Sequence, residues 1–312
     1  MSGAREEHLA TRRHAGLFDF SFMGLYEFSD GAALQALQSR TLARLLPGRI
    51  AYTLLLDQDG RVRNDATVWR LDDGRWWLFS GRRSDAEWIA ARARPRVRSG
   101  EHAVLALQGP ASGTILAQLV GEARVRSLRY FDFAAFRAAG CSGRIGRVGY
   151  SGELGYEFVV PAHEAAALRH ELLDAGREHG LRECGFDAAN SLRIESGYVL
   201  FDREITGHER PGELGLERLD ERLGSRAVAP LRRLVGLEVD ALPARPRSWL
   251  PVARVTSECD SPVFGRTLAL GFVDTDEASP GTPVRLEDGR RARVARLPFY
   301  DPPRRRPRAT PL

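Results

Sequence analysis

The chain has 312 residues, of which 43% are hydrophobic, and 46 basic residues against 41 acidic ones give a formal net charge of +5 at pH 7. This length exceeds what one hydrophobic core usually serves, so we expect two or three domains. No apolar run reaches the roughly 18 residues that a membrane span requires, and the first residues contain no apolar export segment. We therefore expect a cytoplasmic protein with no membrane partner.

All 46 basic residues are arginine, since the sequence contains no lysine. This excludes P-loop nucleotide hydrolysis, pyridoxal-phosphate chemistry and a lysine general base, which all require the ammonium side chain. The arginines are spread along the chain among acidic residues, so we predict no nucleic-acid partner. The one dense cluster, PPRRRPR at 302–308, is either a site for an anionic surface or a solvated, frayed terminus.

Several other catalytic classes lack their motifs. The sequence has no HExxH zinc motif and no GxGxxG after a strand, and GYSGE at 149–153 departs from the GxSxG nucleophile elbow. The three cysteines are too far apart for a CxxC motif, and their odd number argues against a disulfide framework. We predict no metal site.

In chain order, the first long amphipathic pattern is DGAALQALQSRTLARLL at 30–46, which predicts a helix ended by Pro47-Gly48. Residues 50–80 then predict three strands, because apolar and alternating runs are separated by the turn signals Asp59-Gly60 and Asp73-Gly74. Ser84 and Glu87 have the spacing of a capping box, which predicts the start of another helix.

The second half of the chain mixes both kinds of element. AVLALQGP at 103–110 and the stretch around Ile145 predict strands, whereas 163–180 and 187–197 predict helices. After Pro230 the pattern changes to short strands separated by Gly and Pro turns, which indicates a small all-β terminal domain. The predicted class is α+β.

Two carboxylates are candidates for chemistry. Asp65 lies in RNDATVWRL, where a turn residue that binds backbone N–H groups is the alternative. Glu157 lies in an apolar run directly after the glycine-rich stretch 149–155, which is either a hairpin turn or a ligand loop. An acid inside an apolar strand requires a partner. Such a glutamate can accept two parallel N–H donors from a planar amidine-like group, for example the edge of a pterin.

Several stretches together resemble one family. They are EEHLATRRHAGLFDFSFMG, PGRIAYTLLLDQDGRVRNDATVWRL, LALQGP, GYSGELGYEFVVP, SLRIESGY, VTSECDSPVFGRTLALGFVD and LPFYDP, in that order along nearly the whole chain. The chain resembles the aminomethyltransferase (T-protein) family of the glycine cleavage system. Its tetrahydrofolate-binding fold is also found in the C-terminal part of dimethylglycine and sarcosine dehydrogenases.

The resemblance implies a three-domain cloverleaf around a central folate channel. The domains would be 1–45 with 140–225, which binds folate, then 46–139, which carries the Asp65 strand, and 226–312, a barrel-like β domain. The cofactor would be tetrahydrofolate, to which a one-carbon unit is transferred from a substrate amine.

The resemblance also implies roles for individual residues. Asp65 would be the catalytic carboxylate residue beside the reacting folate nitrogens, and Glu157 would bind the pterin edge. The residues that match other positions of the folate pocket are Met23, Tyr52 and Tyr150. Arg193, like Arg232 and Arg233, has a guanidinium that suits the folate carboxylates, with an inter-domain ion pair as the alternative.

The sequence also departs from the family pattern. Asn64 replaces one of two paired acids, Ala189 and Asn190 replace an arginine and an aspartate, and Phe22 replaces a histidine. The resemblance also implies a longer segment ahead of the EEHLATRRH match than the 5 residues that precede it here, and we expect part of the first domain to be affected. These departures favour a stand-alone folate-dependent one-carbon transferase with a small methylated or methylene-bearing donor. The alternatives are a true aminomethyltransferase that binds a lipoyl carrier protein, and a folate-binding protein without turnover.

Overall fold

The computed structural model describes residues 3–138, 140–221, 229–243 and 250–312. The α-helices are α1 (Ala4–Arg13), α2 (Gly31–Leu37), α3 (Ala86–Ala93), α4 (Ser112–Val120), α5 (Glu122–Ser127), α6 (Ala165–Gly176) and α7 (Phe186–Glu195). The strands of the first half are β1 (Ala15–Asp19), β2 (Gly24–Phe28), β3 (Ile50–Leu56), β4 (Val62–Arg70), β5 (Trp76–Ser80), β6 (Arg96–Val97), β7 (His102–Gln108) and β8 (Phe133–Ala138). Those of the second half are β9 (Cys141–Gly146), β10 (Gly155–Pro161), β11 (Leu181–Glu183), β12 (Arg232–Pro243), β13 (Val252–Ser261), β14 (Arg266–Asp274), β15 (Pro283–Leu286) and β16 (Arg290–Ala295).

These strands form two open sheets and one barrel. The six-stranded sheet has the order β11-β1-β7-β10-β9-β8, and the five-stranded sheet has the order β3-β4-β5-β2-β6. Strands β12 to β16 close into a barrel at the C-terminal end. The predicted α+β class and the small all-β C-terminal domain are confirmed.

The predicted domain boundaries cut across the two open sheets. Strand β2 lies within 1–45, yet it pairs with β5, with Leu25 opposite Phe79. Strands β7 and β8 lie within 46–139, yet they pair with β10 and β9 of the six-stranded sheet. Hydrophobic periodicity indicates where strands occur, but it carries no information about partners that are distant in sequence.

The core between the two open sheets positions the site. One apolar cluster lies on the outer face of the six-stranded sheet with helices α4 and α6. A second cluster joins the inner face of that sheet to the five-stranded sheet and α7, and it contains Val104, Val159 and Trp69. The Trp69 and Phe133 ring centroids are 4.9 Å apart across this interface. The two sheets are thus fixed relative to each other by buried aromatic packing.

The helix predicted at 30–46 is shorter in the structure than the sequence indicates. Helix α2 ends at Leu37 and only a 3₁₀ turn, Leu42–Arg44, follows it. Gln38 leaves helical geometry, and its side-chain amide donates to the Arg40 carbonyl and accepts from the Arg40 N–H. A side chain that satisfies nearby backbone groups competes with helix continuation. Periodicity alone does not reveal this competition.

The predicted capping box is also wrong. Helix α3 begins at Ala86 after the 3₁₀ turn Arg83–Asp85, and no side chain caps its first turn. The other nearby predictions are confirmed, since the two Asp-Gly turns connect β3 to β4 and β4 to β5 as antiparallel hairpins. Helices α6 and α7 also lie where the sequence predicts them.

The arginine-rich C-terminal segment packs against the protein, so the prediction of a frayed terminus is wrong. Pro307 is buried, and Arg306 forms a 3.2 Å ion pair with Glu153. The Arg147 guanidinium donates to the carbonyl groups of Pro307 and Ala309. Among the described residues, no helix has both the length and the apolar composition needed to cross a bilayer.

Candidate active site

A cavity of about 150 Å³ opens between the two open sheets, beside the start of helix α7. Five residues predicted from the sequence line it together, namely Met23, Tyr52, Asp65, Tyr150 and Glu157. They come from β3, β4, β10 and two loops, so the fold brings together residues that are far apart in sequence. Most of the remaining lining is aromatic or aliphatic.

Asp65 is held by the β3–β4 hairpin. It lies opposite Leu54, and Tyr52 lies two residues before Leu54 on the same face of the sheet. The Tyr52 hydroxyl donates a 2.9 Å hydrogen bond to Asp65 Oδ2. Burial raises the Asp65 pKa to about 6, although the bond from Tyr52 opposes this rise. A carboxyl with a pKa near neutrality can both hold and release a proton at working pH.

Asn64 orients Asp65 from behind. Its Oδ1 accepts from the Asp65 backbone N–H at 2.9 Å, and its Nδ2 donates to Asp85 Oδ2 at 2.6 Å. Arg82 in turn donates to Asp85 Oδ1 at 3.1 Å. The residue that replaces a family acid therefore supports the catalytic candidate from outside the cavity. Sequence reasoning missed Asp85, because nothing in the sequence connects it with β4.

Glu157 is placed on the cavity wall by the alternation of β10. Its neighbours Tyr156 and Phe158 point into the outer core, whereas Glu157 shares the inner face with Val159. Across the ladder it faces Ala106 and Gly146, whose small side chains leave room around the carboxyl. Among the described residues, no group forms a hydrogen bond or ion pair with this carboxyl, and burial raises its pKa to about 7.

The glycine-rich loop before β10 approaches protein groups closely. A Cβ at Gly149 would lie 1.9 Å from Gln108 Oε1, and one at Gly152, where φ is +79°, would lie 2.3 Å from Ser196 Oγ. Ser151 Oγ also donates to Gln108 Oε1 at 2.8 Å. These glycines therefore pack the loop onto buried side chains, and the same loop presents Tyr150 to the cavity.

Arg193 is not brought to the cavity. Helix α7 directs its fully buried guanidinium towards the barrel, where Nη1 pairs with Glu204 at 2.6 Å and Nη2 donates to Ser257 Oγ at 2.6 Å. Its Nε donates to Asn190 Oδ1 at 2.9 Å. The sequence-based alternative, an inter-domain ion pair, matches this position. A helical sequence does not show which side of the helix faces a ligand.

Three phenylalanines form the mouth of the cavity. The Phe22 ring centroid is 5.7 Å from that of Phe186 and 6.4 Å from that of Phe201. Phe22 is 40% exposed and Phe186 is 44% exposed, which is unusual for large apolar side chains next to an apolar cavity. Sequence reasoning noted Phe22 but missed its two partners, which come from other segments.

A cavity between packed domains, with apolar walls and two carboxyls of raised pKa, is typical of a small-molecule enzyme site. Comparison with known proteins makes the class specific. Residues 1–220 match the family model described as the GCVT N-terminal domain, and residues 232–301 match the glycine cleavage T-protein C-terminal barrel domain. The fold and site are those of a folate-dependent one-carbon transferase, and the chain belongs to the aminomethyltransferase (T-protein) family of the glycine cleavage system.

Individual relatives agree with this assignment. An aminomethyltransferase of Symbiobacterium thermophilum is 36% identical, covering 98% of this chain and 91% of the relative. The aminomethyltransferase of Bacillus subtilis is 32% identical, covering 96% of this chain and 91% of the relative. The crystal structure of glycine cleavage system aminomethyltransferase T from Bartonella henselae aligns with a TM-score of 0.78 and 28% identity, covering 96% of this chain and 90% of that one.

The family uses tetrahydrofolate, and the residues present fit it. A carboxyl without a partner on the wall of an apolar cavity is costly unless a ligand supplies donors. Glu157 is such a group, and a pterin edge carries two parallel N–H donors at the spacing of a carboxylate. The aromatic and aliphatic walls suit the flat heterocycle.

Proposed function

We propose that Glu157 binds the pterin of tetrahydrofolate and that Asp65 handles the proton when a one-carbon unit passes from a donor amine to the folate. When bound, tetrahydrofolate supplies the nitrogen nucleophiles that accept this unit. The observation that carries the proposal is the position of Glu157, a carboxyl on the cavity wall with no partner among the described residues.

The ionised Glu157 carboxylate accepts two N–H donors, whereas the protonated form keeps fewer acceptor sites and adds a donor that the pterin edge does not match. Its pKa of about 7 therefore makes folate affinity depend on pH near neutrality. Ala106 and Gly146 beside it leave the space that a planar ring needs.

Asp65 has the position and the pKa of a general base. Its Oδ2 accepts from Tyr52, which fixes the carboxyl in one orientation, and Asn64 fixes the backbone behind it. The carboxylate can take a proton from the attacking nitrogen and can stabilise positive charge on the donated carbon. Groups of this kind contribute on the order of 10² to 10⁴ in rate.

Two kinds of molecule are candidate donors of the one-carbon unit. The names of the relatives favour the aminomethyl group of a lipoyl carrier protein, as in the glycine cleavage system. The aromatic mouth of Phe22, Phe186 and Phe201 favours a small methylated or methylene-bearing amine, because it presents apolar rings where a donor enters. Both donors require the same folate site and the same base.

The test is to incubate the protein with tetrahydrofolate and each donor and to measure the folate product and the released amine. The control is Asp59→Asn, since Asp59 lies in the exposed turn of the same hairpin. We expect product with one donor from the wild type and Asp59→Asn, and almost none from Asp65→Asn. Equal turnover by Asp65→Asn would contradict the role of Asp65.

A further inference from the structure

A second, larger groove of about 850 Å³ lies at the far end of the interface between the two open sheets. It shares no lining residue with the folate cavity. Its walls are the outer strands of the six-stranded sheet, the end of helix α4, and Trp77 from β5. The one-carbon chemistry described above uses none of these residues.

Strand register concentrates positive charge on one face of this groove. Arg137 on β8 lies opposite Ser142 on β9, and Ala135 lies opposite Arg144. Residues two apart on a strand share a face, so Arg137 and Arg144 are diagonal neighbours. Arg124, from α5, also lines the groove and donates to the Ala135 carbonyl. Long side chains at diagonal positions are within reach of each other, so these arginines concentrate positive charge on this face.

In the described part of the chain, no carboxylate forms an ion pair with Arg137 or Arg144 at close range. Asp73, Asp72 and Glu27 act on the Arg144 charge from farther away, and two of them, Asp73 and Glu27, are paired with Arg75. Arg144 is held over the Trp77 ring, with 4.4 Å between the guanidinium carbon and the ring centroid. The stacking holds the Arg144 guanidinium over the ring at the edge of the groove that this residue lines.

A histidine also borders the groove. His102 lines it from β7, and its side chain interacts with the backbone of Arg98. Its ring centroid is 5.5 Å from that of Trp77. The Glu164 carboxylate lies nearby, and it accepts from the backbone N–H of the lining residue Ser142 at 2.7 Å. Among the described residues that line the groove there is no Asp or Glu, so its charged side chains are all basic.

We propose that this groove binds a small organic anion through a phosphate or carboxylate group, which Arg137 and Arg144 hold. Guanidinium groups bind both anions through paired N–H donors. The groove is far larger than an inorganic anion, so the anionic group belongs to a larger molecule whose apolar part lies along Leu119 and Val120. The groove shares no lining residue with the folate cavity.

The test is calorimetric titration of pyrophosphate and, separately, of citrate into the full-length protein at constant ionic strength. Arg144→Gln and Arg137→Gln remove one charge each from the groove, and the exposed Arg137 side chain can be changed without disturbing the core. The matched control is Arg92→Gln, because Arg92 also stacks on a tryptophan, 4.5 Å from the Trp88 ring centroid, but lies outside the groove. Thermal unfolding of each variant checks that it is folded.

We expect saturable binding of one probe per chain, weakened at least tenfold in both groove variants and changed less than twofold in Arg92→Gln. Stronger binding of pyrophosphate indicates a phosphate ligand, and stronger binding of citrate indicates a carboxylate ligand. The absence of saturable binding of both probes, or an equal loss in Arg92→Gln, would overturn the proposal. Folate affinity should be unchanged in Arg144→Gln. If the groove binds neither probe, the proposed folate site is therefore not affected.

Discussion

The Tyr52 hydroxyl and Asp65 Oδ2 are 2.9 Å apart, and this bond ties the catalytic candidate to the neighbouring strand of the same sheet. The bond favours the ionised carboxyl, whereas burial disfavours it, and the net result is a pKa of about 6. Two opposing physical effects therefore set the proton affinity of Asp65. The effect of Tyr52 can be removed without touching the carboxyl itself.

Tyr52→Phe should raise the pKa of Asp65 above about 6, because burial then acts without the opposing hydrogen bond. The acid limb of the kcat/KM profile should move to higher pH by about one unit. The measurement is kcat/KM from pH 5 to 9 for both proteins. An acid limb that stays at the same pH in Tyr52→Phe would show that Asp65 is not the titrating group.

Asp65→Asn should lower kcat by about 10² to 10⁴ and leave folate affinity within a few fold, since the amide keeps an acceptor for Tyr52 but cannot take up a proton. Single-turnover kinetics and folate titration on the same preparation separate the two quantities. If affinity falls as much as turnover, Asp65 contributes to folate binding and the proposed division of roles with Glu157 fails.

Glu157 should make the wild type less stable as pH rises. Its folded-state pKa of about 7 lies above the ordinary value of 4.5, so the folded state binds more protons than the unfolded state between these values. The stability is present at low pH and is lost as pH rises towards 7. Relative to wild type, Glu157→Gln should gain roughly 2–3 kcal/mol in free energy of unfolding between pH 5 and pH 8.

Urea unfolding at the two pH values measures this gain. A difference between variant and wild type that is the same at pH 5 and pH 8 would mean that Glu157 titrates normally. Such a result would also remove the reason to expect pH-dependent folate affinity. A gain in stability together with a loss of ligand binding is the usual signature of a binding residue held at a cost to the fold.

The Arg193–Glu204 pair should be essential for stability. Both side chains are fully buried and their charged atoms are 2.6 Å apart, so Glu204→Gln leaves the Arg193 charge without its counter-ion. We expect a loss of about 3–5 kcal/mol. Glu183→Gln is the matched control, because it breaks the exposed pair with Arg169 and should cost less than about 1 kcal/mol. Similar losses in the two variants would contradict this difference.

The sequence predicted the positions of helices and strands better than it predicted which strands pair with each other. The β3–β4 hairpin follows from a local signal, the Asp59-Gly60 turn, and it lies where expected. Helix α7 also lies where expected, although its apolar residues do not share one clean face. The pairing of β2 with β5 depends on contacts about 50 residues apart, which no local pattern encodes. Helix α2 ended early because the Gln38 amide competes for backbone groups, which the spacing of leucines does not show.

The residues of the candidate site were also predicted only in part. The family resemblance supplied the residues of the cavity wall, and five of the six predicted residues lie there. Arg193 does not, because the direction of one side chain on α7 depends on where the barrel docks. Phe186 and Phe201 were missed because each is an ordinary apolar residue in its own segment, and only the fold places them beside Phe22.

The most direct measurement is anaerobic titration of tetrahydrofolate into wild type, Glu157→Gln and the exposed-surface control Glu171→Gln at pH 8. We predict one folate site per chain, with affinity reduced about 10- to 100-fold in Glu157→Gln, because a charged hydrogen bond contributes roughly 1.5–3 kcal/mol. Glu171→Gln should bind as the wild type does. Equal affinity in Glu157→Gln, or no binding to the folded wild type, would contradict the assignment of this cavity to the pterin.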